Sequence, residues 1–182
     1  MFLLEKNPLI AAVRTKKELK EAVLSPCSVV FILSCNILTI EENIAFVKEH
    51  GKAVFIHIDL AEGIGKDNFG VGYIAKCKAD GIISTRSNII RMAKEVNLKT
   101  VQRFFIVDSH SIDTALNAIN ISGADMAEIM PGIMPSVLKA IKDKIKIPLI
   151  AGGLVMTKQH IINALEAGAY AISTSRKELW YM

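Results

Sequence analysis

Two adjacent glycines and three consecutive hydroxyl residues are the places where this sequence could hold an anion. Ala151-Gly152-Gly153-Leu154 ends the apolar run IPLIAG, and Ser173-Thr174-Ser175 ends the run AYAIS. Lacking a Cβ, Gly152 and Gly153 let backbone N–H groups approach an anion, and a helix starting near Thr157 would point the positive end of its dipole the same way. The three hydroxyls could donate to phosphate oxygens together with their own N–H groups. Each feature alone also reads as a tight turn or a polar loop. Together, on the loops after neighbouring strands, they predict a phosphate site.

A second set of candidates consists of charges inside apolar runs, where an ionised side chain must face a polar cavity or meet a buried partner. His57 and Asp59 lie two apart at the end of AVFIHID, which would put them on one face of a strand. Arg103 in TVQRFFI and Glu128 in DMAEIM would stand on neighbouring strands, with Asp108 after the first and Pro131-Gly132 after the second. In one reading Arg103 and Glu128 form an ion pair that plugs the interior and His57 is a satisfied core histidine. In the other, His57, Asp59, Arg103 and Glu128 form a polar floor for the hydroxyls of a small phosphorylated ligand, and Arg103 helps neutralise its charge. The longest loop, AEGIGKDNFG, holds Gly63, Gly65 and Gly70 and is expected either to close as a lid carrying Lys66 and Asp67 or to be an ordinary connection.

The elements that must position these groups recur every twenty to twenty-seven residues or so, as apolar runs at 8–13, 28–33, 53–59, 80–84, 100–106, 125–130, 147–152 and 169–173. Between them lie helical stripes, such as Leu19, Val23 and Leu24, then Ile89, Ile90, Ala93 and Val96, then Ile112, Ala115, Leu116 and Ile119. Strict alternation implies parallel strands with right-handed crossovers, and eight units can close into a (β/α)₈ barrel, whose sites lie at the carboxyl ends of the strands. The competitor is an open doubly wound sheet. Its dinucleotide form needs a glycine-rich turn after an early strand, and the first two junctions, RTKKE and SCNILT, have no glycine. With no linker or low-complexity tract, residues 1–182 read as one domain. Only STSRKELWYM follows the eighth run, too little for a full eighth helix. Leu179, Trp180, Tyr181 and Met182 are expected to fold back over the thin flank, or a second subunit to cover it.

Composition narrows the classes further. The chain is 51% hydrophobic but only 6% aromatic, which suits strands buried on both faces. The start MFLLEKNPL lacks the character of a secretory signal and no apolar run approaches the roughly 20 residues of a bilayer span, so a soluble cytoplasmic protein is expected. Cys27, Cys35 and Cys77 have no metal-like spacing and read as buried hydrophobes; no metal or cofactor is predicted. Lys52, Lys99 and Lys146 all precede their strands, which disfavours a Schiff-base aldolase. There is no Gly-x-Ser-x-Gly and no His-Glu-x-x-His. Acid–base pairs drawn from His57, Asp59 and Glu128 keep a barrel enzyme, an isomerase or a phosphodiesterase acting on a small phosphorylated metabolite, as the alternative. The net charge of +4 permits a polyanion partner. The basic groups are Lys139, Lys142, Lys144 and Lys146 around one helix, Arg86, Arg91 and Lys94 around another, and Arg176 and Lys177 near the end.

The segments QRFFIVDS (102–109), AEIMPGIMPSV (127–137), PLIAGGLV (148–155) and AISTSRKELW (171–180), with HIDLAEGIGKD (57–67) and DGIISTR (80–86), resemble the glycerol uptake operon antiterminator regulatory proteins through nearly the whole chain. The resemblance implies a bacterial, non-catalytic regulator with a shortened barrel. Its effector would be glycerol 3-phosphate and its target the leader mRNA of glycerol-use operons, so that transcription passes a terminator. It places the phosphate against Gly152, Gly153, Ser173, Thr174 and Ser175, and the glycerol hydroxyls toward Asp59, Arg103 and Glu128, with His57 nearby. The route from ligand to RNA is expected to pass through the tail at Arg176–Trp180, with the ligand stabilising a homodimer that pools basic faces.

Overall fold

The computed structural model describes Leu4 and residues 7–182. Each apolar run corresponds to a strand, with β5 starting one residue before its run and β8 ending one residue after: β1 (Leu9–Val13), β2 (Val29–Ile32), β3 (Ala53–His57), β4 (Gly81–Ser84), β5 (Lys99–Phe105), β6 (Met126–Met130), β7 (Leu149–Gly152) and β8 (Ala171–Thr174). All pair in parallel with their chain neighbours, and β8 returns to β1 to close the barrel. Seven helices lie among the described residues: α1 (Lys16–Leu24), α2 (Ile40–Glu49), α3 (Asn68–Lys76), α4 (Ser87–Glu95), α5 (Ser109–Ser122), α6 (Pro135–Lys142) and α7 (Lys158–Glu166).

The period-two rule sorts each strand between lumen and helix layer. Ile10 and Ala12 of β1 join Phe31, Phe55, Ile83, Val101 and Ile150 in the lumen, whereas Leu9, Ala11 and Val13 pack outward under the helices. Outward polar residues are tolerated only where they are satisfied. Gln102 of β5, wholly buried, accepts from Ser122 Oγ at the end of α5 (2.5 Å) and donates to Ser87 Oγ at the start of α4 (2.9 Å), so one side chain fastens two helices.

At the amino ends of the strands an aspartate recurs. Asp80, before β4, accepts from Val54 N–H and Lys48 Nζ, and Asp125, before β6, accepts from Thr100 N–H, Thr100 Oγ1 and Lys94 Nζ. Each ties its strand to the previous strand and to the end of the helix that leads into that previous strand. Burial raises the Asp125 carboxyl, but the bonds from Thr100 and Lys94 outweigh it and hold the group below the usual carboxylate range.

Two expectations about loops resolve differently. The loop after β3 is pinned: Ala61–Glu62 pairs in parallel with Cys35–Asn36 in a second small sheet, Lys66 Nζ donates to the carbonyls of Ala61 and Ile64, and Asp67 caps α3 by accepting from Gly70 N–H. Neither Lys66 nor Asp67 is free to ride on a lid. The tail folds back on its own barrel as a 3₁₀ turn (Lys177–Tyr181), with Leu179 and Trp180 buried and Trp180 Nε1–H donating to Thr174 O at 2.8 Å. Lys177 pairs with Glu21 of α1. Trp180 thus belongs to the monomer's own core.

Candidate functional site at the carboxyl ends of the strands

Arg103 and Glu128 face each other in the ladder between β5 and β6, both in the line of lumen-facing residues. Arg103 Nε–H donates to Glu128 Oε2 at 2.6 Å, and Ser173 Oγ of β8 donates to Glu128 Oε1 at 2.5 Å. Arg103 is 5% exposed and Glu128 fully buried. This chain spans three strands above the apolar lumen and satisfies both carboxylate oxygens, as a buried charge requires. The expected Arg103–Glu128 ion pair is present and closes the hydrophobic interior below, with polar groups facing the mouth above. The two terminal nitrogens of the Arg103 guanidinium make no hydrogen bond among the described residues, and Arg103 lines the cavity at the mouth.

Gly152 ends β7 directly over this chain. A Cβ there would collide with Glu128 Oε1 and meet Ser173 Oγ at 2.7 Å, so the glycine is required by the polar floor. Gly153 follows with φ +72°, in the left-handed region, and Leu154 with φ +58°. Gly132, after β6, donates from its N–H to Gly152 O (2.5 Å) and Gly153 O (3.1 Å), which fixes the turn. The tight-turn reading and the anion reading of the glycine pair are compatible, because the turn leaves the N–H groups of Gly153 and Leu154 without a hydrogen-bond acceptor among the described residues. Thr157 caps α7 by accepting from His160 N–H.

The three hydroxyls divide their work. Ser173 points down to Glu128. Thr174 Oγ1 donates to Val155 O at 3.0 Å and accepts from Arg176 N–H, joining the β8 loop to the β7 loop. Ser175 is exposed, and among the described residues neither its hydroxyl nor its N–H has a partner. Ser173, Thr174, Ser175 and Gly153 line one small cavity together with Arg14, Ala12, Leu33, Met130 and Arg103. Arg14 was not singled out in the sequence, where RTKKE reads as the start of a helix. Its signal was the alternation Ile10, Ala12, Arg14, which continues the lumen-facing line of β1 to the mouth.

His57 and Asp59 stand on the other side of the mouth. Asp59 lies outside β3, on a 3₁₀ turn (Ile58–Leu60), so the strand rule does not bring the two together; the turn does, with His57 Nε2 3.7 Å from Asp59 Oδ2. At that distance the contact is electrostatic, not a hydrogen bond. Asp59 accepts from Ser84 Oγ (2.8 Å), Thr85 N–H (2.7 Å) and Thr85 Oγ1 (2.9 Å). Burial raises its carboxyl, yet His57 and these bonds prevail and hold it well below the ordinary carboxylate range. His57 is 5% exposed, and neither ring nitrogen has a hydrogen-bond partner among the described residues. Asp108 caps α5, accepting from Ser111 N–H at 2.8 Å. Burial pushes the Cys35 thiol up to about 11 and raises Cys27 as well, so neither presents a thiolate at neutral pH. No helix among the described residues is long and apolar enough to cross a membrane.

Eight parallel strands alternating with helices and closed on themselves define the (β/α)₈ barrel class, and the ion pair, the glycine turn and the unpaired N–H groups all lie at its carboxyl mouth. Barrel aldolases and an epimerase, at 15% identity or less, share this fold. The chain belongs to the glycerol-3-phosphate responsive antiterminator family, whose model matches residues 9–180. It is 39% identical over 181 residues to YgcP, an uncharacterized protein of Escherichia coli (strain K12), covering 99% of this chain and 95% of that one. The crystal structure of the glycerol uptake operon antiterminator regulatory protein of Listeria monocytogenes superposes with a TM-score of 0.92 at 30% identity, over 96% of this chain and 95% of that one. An antiterminator-related protein of Thermotoga maritima gives 0.86 at 32%, over 96% and 98%.

Proposed function

We propose that this protein, acting as one domain over residues 1–182, is a non-catalytic cytoplasmic sensor that binds glycerol 3-phosphate and, in response, the leader mRNA of glycerol-use operons. The observation that carries the ligand reading is the buried Arg103–Glu128–Ser173 chain roofed by Gly152, because it builds a polar floor beside unpaired backbone donors. In this reading the phosphate lies against Gly152, Gly153, Ser173, Thr174 and Ser175, taking N–H groups and the Ser175 hydroxyl. The glycerol hydroxyls meet Arg103 and Glu128, with His57 offering a ring nitrogen and Asp59 orienting that side of the mouth. For RNA, Lys139, Lys142, Lys144 and Lys146 have no ion pair among the described residues, which suits contact with a phosphate backbone. A homodimer would form on the flank that lacks an eighth α-helix, where Leu24, Tyr181 and Met182 are 74%, 59% and 47% exposed.

The test pairs two measurements. Glycerol 3-phosphate should raise the melting temperature and be recovered unchanged, while glycerol does far less, since a ligand selective for the folded state stabilises it by mass action. Binding to a terminator-bearing leader RNA should tighten when glycerol 3-phosphate is added. Equal thermal shifts from the two ligands would remove the phosphate site, and RNA binding indifferent to the ligand would remove the sensor.

A further inference from the structure

We infer that Arg14, on the loop leaving β1, gives this site its preference for a doubly charged phosphate ester over the neutral polyol. The inference rests on the ligand reading above and names the residue that sets its charge selectivity.

The argument is one of charge. Arg103 and Glu128 lie 2.6 Å apart and are buried together, so the floor they form is neutral. Ser173 and Thr174 spend their hydroxyl protons on Glu128 and Val155, which leaves Ser175 and backbone N–H groups as uncharged donors. A phosphate monoester carries close to two negative charges near neutral pH. Moving such a group to the mouth of an apolar barrel costs solvation that dipoles alone replace poorly, whereas a guanidinium matches phosphate in charge and in bidentate geometry. Among the residues lining the cavity, Arg14 and Arg103 are the charged ones, and Arg103 is already matched by Glu128.

The backbone is built to hold Arg14 there. Its N–H donates to Glu18 Oε2 at 2.7 Å, beside the capping box in which Thr15 and Glu18 start α1. Below it on the same face of β1 stands Ala12, whose small side chain leaves the space open. Ala11 pairs with Thr174 in the β1–β8 ladder, so the arginine emerges next to the strand that carries the hydroxyl residues. Among the described residues its side chain has no ion-pair partner, and it also borders a polar cleft shared with Lys16, Asn36 and Glu62.

Calorimetric titration of the wild type, Arg14→Gln and Arg14→Lys with glycerol 3-phosphate, inorganic phosphate and glycerol tests this. Arg14→Gln should weaken both phosphates by about 10- to 100-fold, leave glycerol unchanged and flatten the salt dependence of phosphate binding. Arg14→Lys should fall between, keeping charge without the planar fork. The unliganded melting temperature should stay at the wild-type value, because the side chain makes no internal pair. Glycerol 3-phosphate bound equally by wild type and Arg14→Gln overturns the inference, as does an equal loss for glycerol and its phosphate, or a fall in unliganded stability with affinity intact. A wild type that binds neither phosphate overturns the site reading itself.

Discussion

At Gly152 a side chain has no room, because the Glu128–Ser173 hydrogen bond runs where its Cβ would sit. At Gly153 the difficulty is backbone conformation, since φ is +72° and the nearest obstacle is the flexible end of Met130. The two glycines should therefore respond differently to the same change. Gly152→Ala is expected to cost about 1–3 kcal/mol by forcing the floor apart, and Gly153→Ala about 1 kcal/mol from the left-handed backbone. Urea denaturation gives both stabilities, and calorimetry on the same samples gives ligand affinity. If Gly152→Ala were as stable as wild type, the floor would be looser than the geometry says. Removing Arg103 should be worse still: Arg103→Ala leaves Glu128 buried without its cation and should cost roughly 3–5 kcal/mol. The embedded charges were legible in the sequence because an Arg and a Glu inside apolar runs need each other. That Ser173 completes the chain, and that Thr174 is spent on Val155, was not, since hydroxyl direction depends on the closure of β8 against β7 and β1.

Among elements, the recurrent device is a carboxylate that reaches across to an adjacent segment: Asp80 and Asp125 at the amino ends, Asp59 at the carboxyl end. Asp59 joins the turn after β3 to the Ser84-Thr85 exit of β4, and its depressed pKa makes the joint sensitive to acid. Because the folded value lies below the unfolded one, the stabilisation is fully present above about pH 4 and is lost as the pH falls further through the folded value. Asp59→Asn should be less stable than wild type at pH 7, with the gap narrowing between pH 4 and pH 2 when unfolding is followed by urea titration at each pH. A gap independent of pH would assign the loss to altered packing. The sequence left AEGIGKDNFG open between a lid and an ordinary connection, because glycines and charges are common in both. What holds this loop is pairing with Cys35–Asn36, twenty-six residues earlier, and no local pattern announces a two-residue strand.

For the molecule as a whole, the eight-fold alternation was readable from periodicity because strands buried on both faces leave continuous apolar runs, and parallel pairing follows from the helices between them. The end of the chain was open between a tail folded back over the thin flank and a flank covered by a second subunit. Trp180 shows that the tail folds back on its own barrel: it is fully buried, packs where an eighth helix would cover the strands, and donates to Thr174 O at the end of β8, which borders the cavity at the mouth. Trp180→Ala should therefore act first on folding, costing roughly 3–5 kcal/mol and lowering the melting temperature by about 6–20 °C. Trp180→Phe keeps most of the volume but strands the Thr174 carbonyl, so it should cost about 1–2 kcal/mol and weaken the ligand through the displaced β8 loop. Trp180 is the single tryptophan of the chain, so its fluorescence reports both effects: emission should sit at the blue edge in the native state and shift red in one step on unfolding. Added glycerol 3-phosphate should move that step to higher urea in the wild type. A Trp180→Ala protein that melts at the wild-type temperature yet sediments as a monomer where the wild type is a dimer would return the tail to the subunit contact.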